Sequence, residues 1–231
     1  MNTNSNAYTI IYASIMVIIV AFLLAFTSGA LKERQDTNVE LDKKKQILSS
    51  LNIDTKGQDA AALYEKYIKQ DIIINSQGQQ VADKGGFNVD VKVENGKNLD
   101  QRQLPVFIAD IDGKTKYILP VRGAGLWGPI WGYVALDADK NTIYGTYFSH
   151  EGETPGLGAE ISTEKFQREF VGKRILNASN RFVSVAVKKA GQLADGQDQV
   201  DALSGGTITS NGVSDMLRNS LGQYEKYYES K

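Results

Sequence analysis

The sequence contains no cysteine. That excludes disulfides, thiolate zinc sites and cysteine-ligated iron–sulfur clusters. It leaves the redox compartment open, because a cysteine-free chain is viable in either. Histidine is nearly absent: His150 is the single one, so no multi-histidine metal site can be built within the chain. An excess of one charge sign is missing too. Lysine and arginine total 26 against 27 aspartate and glutamate, a formal net charge of −1. Such a chain gives no electrostatic case for nucleic acid. No internal repeat or low-complexity tract is present, and 231 residues allow one medium domain plus appendages.

Charge is also absent from one long stretch. Residues 1–7 form a polar tail without a charged side chain, and residues 8–31 are uncharged and rich in Ile, Val, Leu and Phe. About 20 apolar residues match a bilayer core, and Tyr8 and Tyr12 suit an interface. A cleaved signal peptide would have a basic n-region and a shorter apolar run, so the expectation is a retained transmembrane helix over 8–31. Lys32 and Arg34 follow it, with Glu33 and Asp36 among them. Taken literally, the positive-inside rule puts the rest of the chain in the cytoplasm.

Residues 32–70 read as a juxtamembrane helical segment. Its first helix carries Ile47, Leu48 and Leu51, and its second, over 58–69, carries Ala60, Leu63, Tyr64, Tyr67 and Ile68 on one face. From residue 71 the period changes to two, and 71–231 form the main domain. Ile72–Ile74 is a short apolar run, and Phe87, Val89, Val91 and Val93 alternate as in a half-buried strand. Residues 106–121 read as a hairpin turning at Asp112-Gly113. Residues 131–137 and 142–149 form another pair, 162–170 a short helix and 181–188 a strand. Strands and helices do not alternate strictly, which predicts an α+β domain with a mainly antiparallel sheet and flanking helices.

Three glycine-rich stretches carry the candidate chemistry. Gly123-Ala-Gly-Leu-Trp-Gly128 is a literal G-x-G-x-x-G, but Pro129 and a strand follow it, whereas a dinucleotide site must open a helix. It reads instead as a loop presenting Trp127, either to an aromatic ligand or to its own packing. Residues 153–158, Glu-Thr-Pro-Gly-Leu-Gly, forbid regular structure and expose backbone groups that suit the polar edge of a planar heterocycle. Residues 201–210 bring Gly205 and Gly206 just before Thr207, Thr209 and Ser210. Val213, Met216, Leu217, Leu221 and Tyr224 then define an amphipathic helix. A helix start offers unpaired N–H groups and partial positive charge to a phosphate, although N-capping alone also favours hydroxyls there.

Asp201-x-x-Ser204-Gly205-Gly206-Thr207 resembles the flavinylation motif of the covalent FMN-binding family. The family's usual alanine is replaced here by Gly206, which leaves the acceptor, Thr207, in place. With Gly125-Leu-Trp-Gly-Pro129, residues 153–158 and the N-terminal anchor, the pattern resembles the C subunit of the sodium-translocating NADH:quinone oxidoreductase. The G subunit of the complex coupling ferredoxin and NAD is its relative. The match covers most of residues 100–225.

The resemblance implies FMN attached by phosphoester to Thr207 by a flavin transferase. It implies partner subunits in a membrane redox complex and one lipid-embedded helix in a bacterial inner membrane. The flavin domain then lies on the periplasmic side, against the charge-based orientation. Electrons would pass from NADH toward ubiquinone, coupled to sodium export. By the same resemblance Glu153, Thr154, Leu157 and Gly158 hold the ring and ribityl chain, with Trp127 beside them. Thr209 and Ser210 join Thr207 at the phosphate. Apart from the resemblance, Lys188 and Lys189 at a strand end read either as two solvated lysines or as a charge that offsets the reduced ring. No metal site, no catalytic residue and no separate NADH site are expected.

A hydrolase built on Ser204 or Thr207, His150 and Asp201 is the competing enzyme reading, but the chain has no G-x-S-x-G elbow. A membrane-anchored scaffold without cofactor is the other.

Overall fold

A computed structural model describes residues 5–229 of the chain; the first four residues of the polar tail and the last two lie outside the described residues. The chain divides into two compact units, residues 1–43 and 44–231. Helix α1 (Asn6–Ser50) is continuous, so the expected membrane helix and juxtamembrane helix are one element. It is long and apolar enough to cross a membrane. The residues over 8–31 rise about 36 Å at 1.5 Å each, sufficient for a hydrocarbon core of roughly 30 Å.

Helix α2 (Ala60–Tyr67) starts on Asp59, whose carboxylate accepts the Ala61 and Ala62 N–H groups, and it stops two residues before the expected end because Ile68 is already extended. Six strands follow: β1 (Ile68–Ile74), β2 (Gln80–Ala82), β3 (Leu104–Ile111), β4 (Lys114–Ala124), β5 (Pro129–Leu136) and β6 (Ile143–His150). They form one antiparallel sheet in the order β2-β1-β3-β4-β5-β6. The expected α+β class with a mainly antiparallel sheet is what the chain adopts. The β3–β4 turn is the expected one: Asp112 and Gly113 both have positive φ, 52° and 77°, as a two-residue type I′ hairpin requires.

Period-two alternation sends side chains to two cores. Val106, Leu119, Val121, Ile130 and Val134 face one core, and Phe107, Ala109, Ile118, Tyr133 and Ala135 face the other. The first core is closed by helices α4 (Glu164–Arg168) and α5 (Thr207–Leu221), the short helix α6 (Glu225–Glu229) and a two-stranded parallel ladder of β7 (Ala186–Lys188) and β8 (Gln199–Asp201). The second is closed by Ile47, Leu48 and Leu51 with Ala60 and Tyr64 of α2.

Residues 87–93 correct the sequence reading. They form no strand: Gly86–Asn88 is a 3-10 turn, and helix α3 (Val91–Asn95) starts on Asp90, whose side chain accepts the Lys92 and Val93 N–H groups. A carboxylate that caps a helix overrides the β-favouring valines around it. The expected strand at 181–188 shrinks to β7, because Ser184 takes φ 65° and breaks the extension. The helix expected at 162–170 is the single regular turn of α4, started by Thr163.

Candidate functional site

Three segments converge at one end of the sheet. The first is the turn between β4 and β5, closed by the Gly125 N–H on the Gly128 carbonyl at 2.8 Å. The G-x-G-x-x-G stretch is therefore a hairpin turn into β5, with no helix behind it. Trp127 is 66% exposed in it. The second is the loop after β6, running through 151–158. The third is the start of α5.

The helix start is shaped by glycine. Gly205 has φ 72°, which an L side chain rarely adopts, and Gly206 is the N-cap with no side chain to occupy the first turn. The first N–H groups of α5 thus carry no side-chain cap, leaving the partial positive charge of the helix start open to an anion. Thr207 is the first helical residue, exposed, and its hydroxyl engages no partner among the described residues.

Thr209 and Ser210 are placed differently from the sequence expectation. Thr209 is 1% exposed and its hydroxyl donates to Glu153 Oε2 at 2.5 Å; Ser210 is fully buried and its hydroxyl accepts the Leu203 N–H at 3.0 Å. Both hydroxyls are used inside the chain. At about 100° per residue, Thr209 lies some 200° around the helix from Thr207. The signal was in the sequence: Thr209 and Ser210 stand at helical spacing from buried Val213, Met216 and Leu217.

A groove of about 220 Å³ opens between these segments, lined by Leu126, Glu153, Thr154, Leu157, Gly158 and Gly205 to Thr209. Eight of the twelve sequence-predicted residues thus meet: Glu153, Thr154, Leu157, Gly158, Gly205, Gly206, Thr207 and Thr209. Trp127 stands beside the groove, its backbone N–H donating to Glu153 Oε1 at 2.9 Å. Asp201 and Ser204 do not line it; both are exposed on a neighbouring groove with Lys165 and Glu169. Sequence reasoning missed Leu126 and Ile208, apolar residues 48% and 58% exposed on the groove's rim. An apolar side chain in the first turn of a helix, off its buried face, was the available sign.

The hydrolase reading is not assembled. His150 Nδ1 accepts the Glu153 N–H at 3.2 Å, and no hydrogen bond joins His150 to Asp201, Ser204 or Thr207 among the described residues. Lys188 ends β7 opposite Asp201 in register, and neither Lys188 nor Lys189 lines the groove.

Residues 125–222 match the FMN-binding domain family. The chain is 31% identical to the C subunit of the Na(+)-translocating NADH-quinone reductase of Haemophilus ducreyi, over 96% of this chain and 94% of that protein. It is 30% identical to the C subunit of the Pseudomonas aeruginosa reductase, with the same two coverages. Among solved structures it resembles the C subunit of the Parabacteroides distasonis reductase, with 49% identity and a TM-score of 0.82 over 87% of this chain and 98% of that one. NqrC of Shewanella oneidensis is similar at 25% identity and a TM-score of 0.69, over 83% of this chain and 97% of that one.

Proposed function

We propose that this chain, which belongs to the C-subunit family of the Na(+)-translocating NADH-quinone reductases, holds its FMN covalently. The tether is a phosphoester to Thr207, and the domain relays electrons within the assembled complex. One observation carries the reading: of the three hydroxyls that follow the glycines, Thr207 alone is exposed, at an uncapped helix start beside the groove. The residues fit the group. A phosphate on Thr207 would lie against the open first turn of α5, where N–H groups and helix dipole favour it. The groove is smaller than the ~300–1,000 Å³ that encloses a drug-sized ligand, so part of the cofactor would rest at the surface near Leu126, Leu157 and Trp127.

Bound FMN supplies one-electron exchange, and the chain's task is to hold it, tune it and leave an edge reachable by redox partners. The apolar rim of Leu126, Leu157 and Ile208 would exclude water from one side of the ring. Electrons would travel from NADH toward ubiquinone, coupled to sodium export. Asp201 and Ser204, facing away from the groove, would be read by the flavin transferase during attachment. Helix α1 would anchor the chain in the lipid of the inner membrane, with the flavin domain on the periplasmic side, where partner subunits rather than Lys32 and Arg34 fix the topology.

The test is coexpression of the full chain with a flavin transferase, followed by intact mass measurement. The wild type gains one flavin that survives denaturation, and Thr207→Ala gains none. A Thr207→Ala chain that still takes up flavin would refute the assignment. Dithionite bleaches the attached flavin, whereas NADH alone leaves it coloured, since hydride transfer needs a nicotinamide held against the ring.

A further inference from the structure

Glu153 is 4% exposed and lies where the three segments of the groove meet. Its Oε1 accepts the Trp127 backbone N–H at 2.9 Å, and its Oε2 accepts the Thr209 hydroxyl at 2.5 Å. Its own N–H donates to His150 Nδ1 at 3.2 Å. Its side chain thus joins the β4–β5 turn to the first turn of α5, and its backbone ties the loop to the end of β6. The fit is close. A Cβ on Gly125 would collide with Oε1, and one on Gly158 with Oε2. No lysine or arginine pairs with this carboxylate among the described residues. Its charge is met by hydrogen bonds and by the N-terminal end of α5.

We propose that Glu153 is a positioning residue: its carboxylate locks the Trp127 turn to the start of α5, and it leaves one fixed negative charge beside whatever occupies the groove. The second half rests on the reading that the occupant is flavin. A negative charge beside an electron acceptor opposes the arrival of another electron, so Glu153 holds the flavin's reduction potential down. This role differs from holding the ring directly, the one the family resemblance implies for this residue. Both carboxylate oxygens are taken by the chain's own donors, one on each wall.

The two halves separate by substitution. Glu153→Gln removes the charge and keeps the tie, since its amide oxygen accepts from Trp127 and its NH₂ donates to the Thr209 hydroxyl. Thr209→Val keeps the charge and removes one arm of the tie. Glu153→Ala removes both. Trp127 reports the tie without any flavin: in full-length protein carrying Trp131→Phe it is the remaining tryptophan.

The experiment is time-resolved fluorescence anisotropy of Trp127 in unflavinylated full chain, with redox titration of the flavinylated chain alongside. Trp127 is expected to gain a fast local motion in Glu153→Ala and Thr209→Val and to stay as restrained as wild type in Glu153→Gln. The midpoint potential is expected to rise in Glu153→Gln. Should Glu153→Ala fail to fold, Thr209→Val and Glu153→Gln decide. Unchanged Trp127 motion in Thr209→Val overturns the tie, and an unchanged potential in Glu153→Gln overturns the charge. Failure of the wild type to acquire flavin overturns the functional reading instead, while the anisotropy measurement still judges the tie.

Discussion

At its N-terminal end, α5 starts on Gly206 with no side-chain cap and leaves the Thr207 hydroxyl outward. Its C-terminal end is closed off. There the buried Tyr224 hydroxyl donates to the Pro105 carbonyl at 3.0 Å, and the Tyr228 hydroxyl donates to the Leu221 carbonyl at 2.8 Å. Burial pushes both phenols well above their usual range, so they stay neutral donors. Arg102 adds a fork, donating to Gln223 Oε1 at 2.9 Å, to the Asn95 carbonyl at 2.8 Å and to the Lys97 carbonyl at 2.9 Å. One helix therefore has an end whose polar groups are left for a ligand and an end whose polar groups are consumed by the fold. Stability is invested at one end and chemistry at the other, as expected where a functional site must keep unsatisfied donors.

The contrast breaks if changes at the closed end reach the open one. Arg102→Ala removes three hydrogen bonds and leaves their carbonyl and amide acceptors without that donor. It is expected to lower unfolding free energy by about 2–3 kcal/mol in urea. Flavin uptake at Thr207 is expected to be unchanged in protein that folds. A parallel loss of uptake would show that the two ends are coupled. Tyr224→Phe is a smaller version: it leaves the buried Pro105 carbonyl without its donor and should cost about 1–2 kcal/mol, with flavin attachment intact.

The C-terminal half of the helix was readable in the sequence. The spacing of Val213, Met216, Leu217, Leu221 and Tyr224 gives a face that the structure buries completely. Which hydroxyl points outward was less legible. As residue types Thr207, Thr209 and Ser210 look equivalent, and the turning of two of them inward shows only when the helical spacing from Val213, Met216 and Leu217 is carried back to the helix start. The strand expected at 87–93 failed for a different reason. Alternating Phe87, Val89, Val91 and Val93 suggested one buried face, yet Val93 is 56% exposed and Glu94 is 7% exposed. The Asp90 cap starts a helix that rotates the acid inward, where the Gln103 N–H and Lys97 receive it. A single capping carboxylate outweighed four period-two positions.

Glu94 gives the smallest expected effect. Burial alone would raise its carboxyl, but the Gln103 N–H and Lys97 outweigh burial and hold it below the ordinary range. A carboxyl depressed on folding stabilises the native state above its unfolded value, and that contribution is lost as pH falls through the folded one. Unfolding free energies from urea titration should therefore fall from pH 6 toward pH 3 by less in Glu94→Gln than in wild type, on the order of tenths of a kcal/mol for such a partly exposed ion pair. Identical slopes would remove Glu94 from the account of the closed end.

The open end rests on which hydroxyl carries the flavin. The direct measurement is fragmentation mass spectrometry of the flavin-bearing peptide from wild-type chain coexpressed with a flavin transferase, reading residues 199–218 position by position. The account predicts the phosphoester on Thr207 in every modified molecule. Flavin phosphate on Thr209 or Ser210, whose hydroxyls the fold turns inward, would contradict it.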